Sequence, residues 1–337
     1  MQNRYDVFGI GNAIVDTEVL VDDFLLTAHG LEKGVMTLVS TEAQLALLAG
    51  LAGHDQHGAA GGSAANTMVG VSQFGGSAFF SGKIGKDLSG ALYRKSMSDV
   101  GVGFDFQAAD SLPTGTCLIL VTEDGERTMQ TSLSAAAELG PHDVDATQIA
   151  ASKYVYVEGY LFGSPTGAQA AIKSMEVAKE AGATVSLTLS DPGMAEHFIE
   201  PFKDATKKYV DVLFCNQFEA MIYAGTQNRE AALKALGRDS PQVFMTCGGD
   251  GSMILDKGKV THIPGYRVPV VDTTGAGDIY AAGVLYGLSH DIDIASAGKL
   301  GSFASARIVS QMGPRLSEHL GEHISLILDG AQPTDQL

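Results

Sequence analysis

Short apolar runs alternate with longer amphipathic segments through most of this sequence, a pattern typical of strands followed by helices. In the second half the pattern predicts strands over residues 155–157, 185–189, 212–215 and 243–247, and helices over residues 165–181, 196–209, 218–224 and 231–236. Strands that alternate with helices pair in a mainly parallel sheet, and the helices cover both of its faces. We therefore predict an α/β fold.

The first half of the chain combines the same pattern with a hairpin. Strands are predicted over residues 7–10 and 77–82, and helices over residues 41–51, 64–74 and 88–101. Residues 117–121 and 127–131 flank Asp124-Gly125, a residue pair typical of a tight β-turn. With a strand or two within residues 19–39, this hairpin predicts a small β lid, from roughly 17–40 and 105–132, over the ligand end of the main sheet. The sequence contains no repeat or linker, so we expect a single domain over residues 1–337.

The most informative stretch is Asp272 to Asp278, which follows an apolar run over residues 268–271 and precedes a helix over residues 279–288. We interpret this order as strand, glycine turn, helix. Gly275, Ala276 and Gly277 leave their N–H groups uncovered by bulky side chains, which at a helix N-terminus favours an anion site. The remaining C-terminal elements are predicted as a hairpin over 253–255 and 260–263 and as helices over 295–311 and 317–329.

A carboxylate at the mouth of an anion site needs a reason, because Asp278 would repel a phosphate. The arrangement makes sense if Asp278 takes a proton from a hydroxyl that attacks the phosphate. The alternative is that Asp278 only caps the helix after a tight turn.

Polar and glycine residues also follow the first predicted strand and precede the helix over residues 64–74. Asn12 and Asp16 follow the strand over residues 7–10, and ligands of open α/β sheets bind at such strand ends. Gly61 and Gly62 let the backbone approach a ligand closely, and Asn66 lies in the first turn of the helix that follows. The alternatives are a turn asparagine with a solvated aspartate, and a flexible glycine linker.

Two further strand ends carry groups suited to a nucleotide and its metal. Asn216 and Glu219 are three residues apart at a helix start, a spacing that suits a hydrated Mg²⁺ but also a simple helix cap. Thr246, Gly248 and Gly251 form a glycine loop after the next strand, suited to a phosphate or ribose contact or to a tight turn alone.

Composition and motif searches exclude several classes of protein. A net charge of −17 without a basic block argues against nucleic-acid and membrane binding. Three scattered cysteines and a polar N-terminus without an apolar signal core indicate a cytoplasmic protein. Gly9-Ile10-Gly11 starts like a dinucleotide fingerprint, but Ile14 replaces its third glycine; no P-loop sequence surrounds Lys86.

Taken together, these motifs resemble the signatures of the PfkB, or ribokinase-like, carbohydrate kinase family. Asp-Thr-Thr-Gly-Ala-Gly-Asp (272–278) and Gly-Gly-Ser-Ala-Ala-Asn-Thr (61–67) match its two signatures, and Asn216-x-x-Glu219 and Thr246-x-Gly248-x-x-Gly251 match its nucleotide motifs. The resemblance runs from about residue 5 to 327 and implies a ribokinase-like fold. Within the family the chain is most similar to adenosine kinases, in Gly11-Asn12-Ala13-Ile14-Val15-Asp16 and in residues 127–137, 187–190 and 209–214. Ala13 and Ala64-Ala65 depart from that pattern, so the resemblance does not determine which base the pocket selects.

The resemblance implies ATP as co-substrate, Mg²⁺, and a role for each matching residue. Asp278 would be the base for a 5′-hydroxyl, and the N–H groups of Gly275, Ala276 and Gly277 would stabilise the transferring phosphoryl group. Substrate would contact Asn12, Asp16, Gly61, Gly62 and Asn66, with Leu133 and Tyr160 as walls around the base. ATP would contact Asn216, Thr246, Gly248 and Gly251. Asn216 and Glu219 would organise Mg²⁺, mostly through water, and the spacing of Asp272, Thr274, Gly313 and Ser317 matches a family loop for a monovalent cation such as K⁺.

The expected activity is phosphorylation of the 5′-hydroxyl of adenosine by in-line transfer from ATP. The alternatives are a sugar kinase for ribose, fructose or a related substrate, an inosine or guanosine kinase, and a non-catalytic nucleotide-binding regulator. An apolar, aromatic-walled slot opposite Asp16 would favour a nucleoside, and extra polar groups there would favour a free sugar. We expect a monomer or a homodimer formed through the lid.

Overall fold

The computed structural model describes residues 4–51, 53–54, 56–109 and 111–335. The strands in this part of the chain are β1 Tyr5–Ile10, β2 Ile14–Leu20, β3 Met36–Leu38, β4 Gln56–Ala60, β5 Ala78–Gly85, β6 Gly103–Ala109, β7 Gly115–Val121, β8 Arg127–Ser132, β9 Ser152–Val157, β10 Thr184–Thr188, β11 Val212–Asn216, β12 Gln242–Thr246, β13 Ser252–Asp256 and β14 Lys259–Ile263.

The α-helices are α1 Asp23–Ala28, α2 Thr41–Gly50, α3 Ser63–Gln73, α4 Leu88–Asp99, α5 Ala146–Ala150, α6 Pro165–Ala181, α7 Pro192–His197, α8 Ile199–Tyr209, α9 Gln217–Ala224, α10 Arg229–Leu236, α11 Ala276–Ser289, α12 Ile294–Ile308 and α13 Ile324–Leu328. Short 3₁₀ helices span Ser134–Glu138, Pro141–Asp143, Gly159–Gly163, Gly248–Asp250 and Gly321–His323. None of the described helices is both long and apolar enough to cross a lipid bilayer.

The large sheet has nine strands in the order β14-β13-β12-β11-β10-β9-β1-β5-β6. The seven strands from β12 to β6 in this order pair in parallel, and the hairpin β13–β14 adds antiparallel pairs at one edge. Because parallel strands need crossover connections, helices separate most of them along the chain and cover both faces. This is the α/β architecture that the alternating apolar pattern predicts.

Neighbouring residues of the central strands enter two different cores, which shows that both faces of the large sheet are buried. In β9, Val155 and Val157 pack with the α6 and α8 side, whereas Tyr156 packs with the α3 and α11 side. In β11, Leu213 packs in the core on the α6 and α8 side, and Phe214 packs in the core on the α3 and α11 side. Strands buried on both faces have continuous apolar runs, as these sequences do.

The second sheet has five strands in the order β3-β8-β7-β2-β4 and forms a small layer of its own. One face carries Cys117 and Ile119, which pack with Ile14 and Met129. The other face carries Leu118 and Leu120, which pack with side chains of α1 and α2. The alternation along β7 therefore gives this sheet an inner apolar face and an outer face covered by helices.

Local signals explain why several predicted boundaries agree with the structure. Helix α6 spans the predicted residues 165–181 because the Ser164 side chain accepts the Gly167 N–H, Pro165 occupies the first turn and Gly182 ends the helix with φ = 77°. The predicted hairpin is the antiparallel pair β7–β8.

Two predictions were wrong because tertiary pairing decides them. Residues 105–109 belong to β6 at the edge of the large sheet, not to the small sheet. Residues 268–271, predicted as a strand before the glycine turn, pair with no strand. The sequence analysis assigned no element to residues 56–60, which form β4 beside β2.

Helices α11 and α12 approach so closely that a side chain cannot fit between them. A Cβ atom on Gly283 would lie 2.7 Å from the Gly301 nitrogen and 2.8 Å from its Cα. Backbone atoms cannot rotate away as a side chain can, so the site cannot relax locally. Gly283 thereby fixes the position of α11, which carries Asp278 at its start.

We predict that Gly283→Ala lowers the free energy of unfolding by ~1–3 kcal/mol, because the added methyl group overpacks the α11–α12 contact. The matched control is Gly50→Ala in α2, where an added Cβ meets no atom within 4 Å. That exchange should be neutral or stabilise by ~0.5–1 kcal/mol, since alanine favours a helix over glycine. Urea unfolding of both variants measures the difference; equal effects would contradict the packing argument.

Candidate active site

A cavity of about 430 Å³ lies between the carboxyl ends of the large sheet's parallel strands and the inner face of the small sheet. Each of five adjacent parallel strands places a polar residue there, at its last position or just beyond it. These residues are Asn12 after β1, Glu158 after β9, Ser190 after β10, Asn216 at the end of β11 and Thr246 at the end of β12. The location is the one expected for ligands in open α/β sheets.

The N-terminus of α11 opens into this cavity. Gly275 begins the helix with φ = 72°, and a Cβ there would lie 2.6 Å from the Pro314 carbonyl oxygen. The Ala276 N–H donates to the Thr273 carbonyl oxygen at 3.3 Å. Among the described residues, the Gly277 N–H has no backbone partner, and the position of its missing side chain meets no atom within 4 Å. The turn therefore presents open backbone donors to a ligand at the positive end of the helix dipole.

The carboxylate of Asp278 reaches from α11 to the first turn of α3. The Ser63 hydroxyl donates to its Oδ1 at 2.6 Å, and the Asn66 amide donates to its Oδ2 at 3.1 Å. Asp278 is not the helix cap that the alternative interpretation requires, because Gly275 holds that position and has no side-chain cap. Burial raises the pKa of Asp278, and the bonds from Ser63 and Asn66 partly offset this effect.

The glycine pair before α3 brings the small sheet against the large one. Gly62 has φ = 93°, and a Cβ on it would lie 2.3 Å from the Asn12 carbonyl oxygen. A Cβ on Gly61 would lie 1.9 Å from Asp16 Oδ2, so only glycine leaves room for this carboxylate of β2. The Tyr93 hydroxyl fixes the turn from beneath by donating to the Gly61 carbonyl oxygen at 2.8 Å.

Glu158 is a site residue that the sequence analysis missed. Its side chain is 1% exposed and accepts the Asn12 N–H and Asn12 amide at 3.2 Å each and the Ala64 N–H at 2.9 Å. Burial raises its pKa to about 7. A glutamate directly after the predicted strand over residues 155–157 is the signal that could have identified it, since strand ends line the site.

The acid of the small sheet, Asp16, is buried with no hydrogen-bond donor to its carboxylate among the described side chains. Burial raises its pKa to about 7, and the charges of the Arg315 and Arg127 guanidinium groups partly offset this effect. A carboxylate in this environment is poised to accept hydrogen bonds from ligand hydroxyls, because its own lone pairs are unused.

The Asn216–Glu219 pair is a reciprocal helix cap that also faces the cavity. Asn216 Oδ1 accepts the Phe218 and Glu219 N–H groups, while Glu219 accepts the Asn216 N–H at 2.9 Å and the Asn216 amide at 2.6 Å. Burial raises the pKa of Glu219 to about 8. Because the oxygens of both side chains already accept hydrogen bonds, the pair suits a cation that keeps its water ligands, and Mg²⁺ does so readily.

Three of the four residues matched to a monovalent-cation loop, Asp272, Thr274 and Gly313, are linked to one another by hydrogen bonds. Asp272 accepts hydrogen bonds from the Thr274 N–H and hydroxyl, from the Gly313 N–H at 2.9 Å, and from the Arg127 guanidinium at 3.3 Å. The Ser317 hydroxyl is exposed and donates to Gln311 at 3.3 Å. Binding of a monovalent cation at this loop stays a prediction.

The cavity unites most of the residues that the sequence indicates. Its lining includes Asn12, Asp16, Gly62, Asn66, Leu133, Tyr160, Asn216, Glu219, Thr246, Thr274, Gly275, Ala276, Gly277 and Asp278. The predicted residues outside its lining are Gly61, Gly248, Gly251, Asp272, Gly313 and Ser317. The sequence analysis gave no role to Ser63 or to Arg127, both of which line the cavity and contact the Asp272–Asp278 turn.

We predict that the ligand-free protein loses thermal stability as the pH rises from about 5.5 to about 8.5. The raised pKa values of Asp16 and Glu158, about 7, and of Glu219, about 8, mean that the folded chain binds these protons more tightly than the unfolded chain. This contribution to stability is full below the unfolded pKa near 4 and is lost as the pH passes through the folded values. Thermal melts across this range test it.

Glu158→Gln should flatten the fall in melting temperature, because one of the three titrating groups is gone. The control is Glu196→Gln, an exposed residue of α7, which should leave the slope unchanged. A melting temperature that is constant or rises over this pH range would contradict the assignment of the three raised pKa values.

Comparison with known proteins is consistent with this geometry. The pfkB family carbohydrate kinase description matches residues 35–320. Adenosine kinase 2 from Arabidopsis thaliana is 27% identical over 343 residues, 92% of this chain and 96% of that protein. The crystal structure of adenosine kinase from Sinorhizobium meliloti superimposes with a TM-score of 0.91 at 35% identity, covering 96% of this chain and 99% of that chain. A probable sugar kinase from Rhizobium etli CFN 42 superimposes with a TM-score of 0.92 at 34% identity and the same coverage of both chains.

The matched region contains the cavity-lining turn at Asp272–Asp278, the glycine pair and the Asn216–Glu219 cap. Kinases of this kind use ATP as co-substrate together with Mg²⁺. The chain is therefore a member of the pfkB family of carbohydrate kinases, a phosphotransferase with an alcohol group as acceptor, built on the ribokinase-like fold.

Proposed function

We propose that this kinase phosphorylates the 5′-hydroxyl of adenosine, using Mg·ATP and in-line transfer. The observation that carries the proposal is the position of Asp278. Its carboxylate lies in one cavity with the open backbone donors of its own helix, the polar residues Asn12 and Asp16 on one side, and Asn216 and Thr246 on the other. The hydroxyl group of an acceptor and the γ-phosphate of a nucleoside triphosphate can therefore meet at Asp278.

In the proposed reaction Asp278 accepts the proton of the attacking 5′-hydroxyl. The substrate oxygen forms a bond to the γ-phosphorus, the bond from this phosphorus to the β,γ-bridging oxygen breaks, and ADP leaves with that electron pair. The open N–H groups of the α11 N-terminus stabilise the charge on the transferring group. Arg127, 3.3 Å from Asp272, adds a cation from the small sheet beside the same turn.

Mg²⁺, when bound with ATP, neutralises phosphate charge and orients the γ-phosphoryl group. Asn216 and Glu219 are the residues that would hold it through its water ligands. The arrangement supports this role because both side chains face the cavity and are locked by their reciprocal hydrogen bonds.

The wall opposite the large sheet favours a nucleoside over a free sugar. It consists of Ile14, Cys117, Ile119 and Met129 from the small sheet, with Leu133 beyond its last strand. This surface can bury a flat, largely apolar base, whereas a free sugar would leave it uncovered. The wall is aliphatic and sulfur-rich rather than aromatic, and Met and Leu side chains adapt to the outline of the base. A sugar kinase is the second candidate, favoured by the similarity to the probable sugar kinase of Rhizobium etli.

We predict that Asp278→Asn lowers kcat for adenosine by about 10²–10⁴-fold, because the general base is lost while the side chain keeps its shape. ATP binding, measured by calorimetry, should change little, since Asp278 belongs to the acceptor side of the transfer. The matched control is Asp293→Asn at the start of α12. Asparagine can replace Asp293 as the helix cap, and Asp293 does not line the cavity. Turnover of Asp278→Asn close to that of the control would refute the role of Asp278 as base.

We predict that adenosine has a far higher kcat/KM than ribose or fructose in a panel with Mg·ATP, and that inosine and guanosine fall between them. Leu133→Ala should raise the KM for adenosine about tenfold, because the base loses apolar contact, while ribose phosphorylation changes little. Initial rates of ADP formation measure both. A preference for free sugars, with no effect of Leu133→Ala on adenosine, would support the sugar kinase instead.

A further inference from the structure

Arg315 lies in the loop between α12 and α13, outside the cavity lining but in contact with a residue that lines it. Its Nε donates to Asn66 Oδ1 at 3.0 Å, and its Nη1 donates to the Ser96 hydroxyl of α4 at 2.8 Å. Its Nη2 lies 4.0 Å from the Met97 sulfur. The guanidinium is therefore half-buried between α3 and α4, beneath the first turn of α3.

This cation forms no ion pair with any carboxylate among the described residues, and its hydrogen-bond partners are neutral. Two carboxylates, those of Asp16 and Asp278, interact with it through space. Burying a charged side chain without a direct counter-charge is costly. A neutral side chain would suffice for packing, so the charge at this position indicates a role in the site.

The Asn66 amide has two possible orientations, and Arg315 decides between them. An amide oxygen must face the donating Nε, because an NH₂ group there would meet another donor. The NH₂ group of Asn66 then points the other way, where it donates to Asp278 Oδ2 at 3.1 Å. The hydrogen bonds thus form a chain from Ser96 through Arg315 and Asn66 to the carboxylate of Asp278.

We propose that Arg315 is a positioning residue for phosphoryl transfer, which holds the Asn66 amide with its NH₂ group toward Asp278 and supplies positive charge beside the two acids Asp16 and Asp278. The proposal rests on the proposed role of Asp278 as the base. Arg315 acts through Asn66 and through space, since it does not line the cavity that would hold the substrate.

The charge has a consequence for the pH dependence of the reaction. The groups that affect Asp278 are Ser63 and Asn66 of α3, which donate to it; Arg127 of β8 and Arg315, which lower its pKa; and the acids and phenols Asp16, Glu158, Tyr156 and Tyr160, which interact with it as like charges when ionised. Burial outweighs the two cations and raises the pKa of Asp278. Removing either cation should raise this pKa further.

The first test is the pH profile of kcat/KM for Arg315→Met, measured with the full-length protein and a saturating concentration of Mg·ATP. A base must be ionised to act, so the rate falls at low pH as Asp278 takes up a proton. In Arg315→Met this acidic limb should move to higher pH by about one unit, with a kcat loss of about tenfold or more. A limb at the wild-type position would overturn the electrostatic part of the proposal.

The matched control is Arg94→Met. Arg94 of α4 is also half-buried and also donates to a neutral oxygen, the Phe106 carbonyl at 3.1 Å, but no hydrogen bond among the described residues links it to the cavity. Arg94→Met removes a packed guanidinium group, as Arg315→Met does. It should leave the acidic limb of the pH profile and kcat near the wild-type values. Equal changes in both variants would show that Arg315 has only a structural role.

Arg315→Lys keeps the charge and therefore tests the hydrogen bond to Asn66 separately. This variant can also be measured if Arg315→Met does not fold. A single ammonium group cannot reproduce the forked donors that reach Asn66 and Ser96 together. The acidic limb should remain near the wild-type position, while kcat falls severalfold. A kcat at the wild-type value would refute the positioning of Asn66.

A double-mutant cycle with Asn66→Ala shows whether Arg315 acts through this amide. If it does, the fold-loss of kcat in the double variant Arg315→Lys/Asn66→Ala should be clearly smaller than the product of the fold-losses in the two single variants. Independent effects that multiply would overturn the pathway through Asn66. An Asp278→Asn variant with normal turnover would refute the role of Asp278 as base. An inactive Asp278→Asn variant, together with an unmoved acidic limb of the pH profile in Arg315→Met, would refute only the electrostatic role of Arg315.

Discussion

The site depends on the close approach of two helix N-termini, those of α3 and α11, over one carboxylate. Small residues make this approach possible: a Cβ on Gly70 of α3 would lie 2.5 Å from Ile279 and 2.6 Å from Ala282 of α11. With the helices in contact, Asp278 reaches Ser63 and Asn66 of the other helix. The carboxylate is thereby held at the start of the helix whose backbone N–H groups open into the cavity, so a buried acid and a helix N-terminus share one turn of the chain.

Electrostatic balance is the second constraint, because five acids, Asp16, Glu158, Asp191, Glu219 and Asp278, line the same cavity in a strongly acidic protein. Asp16, Glu158, Glu219 and Asp278 all have raised pKa values, and burial is the main cause for each. Backbone and amide donors stabilise three of them, whereas Asp16 faces the guanidinium groups of Arg127 and Arg315 mainly through space. A phosphate donor entering this cavity meets local positive groups although the net charge of the chain is −17, since nearby donors outweigh distant charges.

The small sheet completes the site without forming part of the large one. Its inner face contributes both the polar group Asp16 and the apolar wall of Ile119 and Met129. The glycine pair Gly61–Gly62 joins it to α3, so that the acid of one sheet and the helix N-terminus of the other are fixed by the same turn. Arg127, at the start of β8, forms a second link through its ion pair with Asp272. The inner face of the small sheet and the N-terminus of α11 are thus tied together by two short connections.

The sequence by itself determined whatever depends on local chemistry. The α/β class follows from the apolar alternation, the bounds of α6 follow from Ser164, Pro165 and Gly182, and the glycine turn before Asp278 is recognisable because few other residues fit there. Pairing and long-range contacts were beyond its reach. Residues 105–109 pair with β5 in the large sheet, and residues 268–271 pair with no strand. Glu158 and Arg315 became site residues only through partners far along the chain, Asn12, Ala64 and Asn66. A hydrogen bond between distant segments leaves no periodic signal in a sequence, so only the tertiary structure decided which charged side chains meet at Asp278.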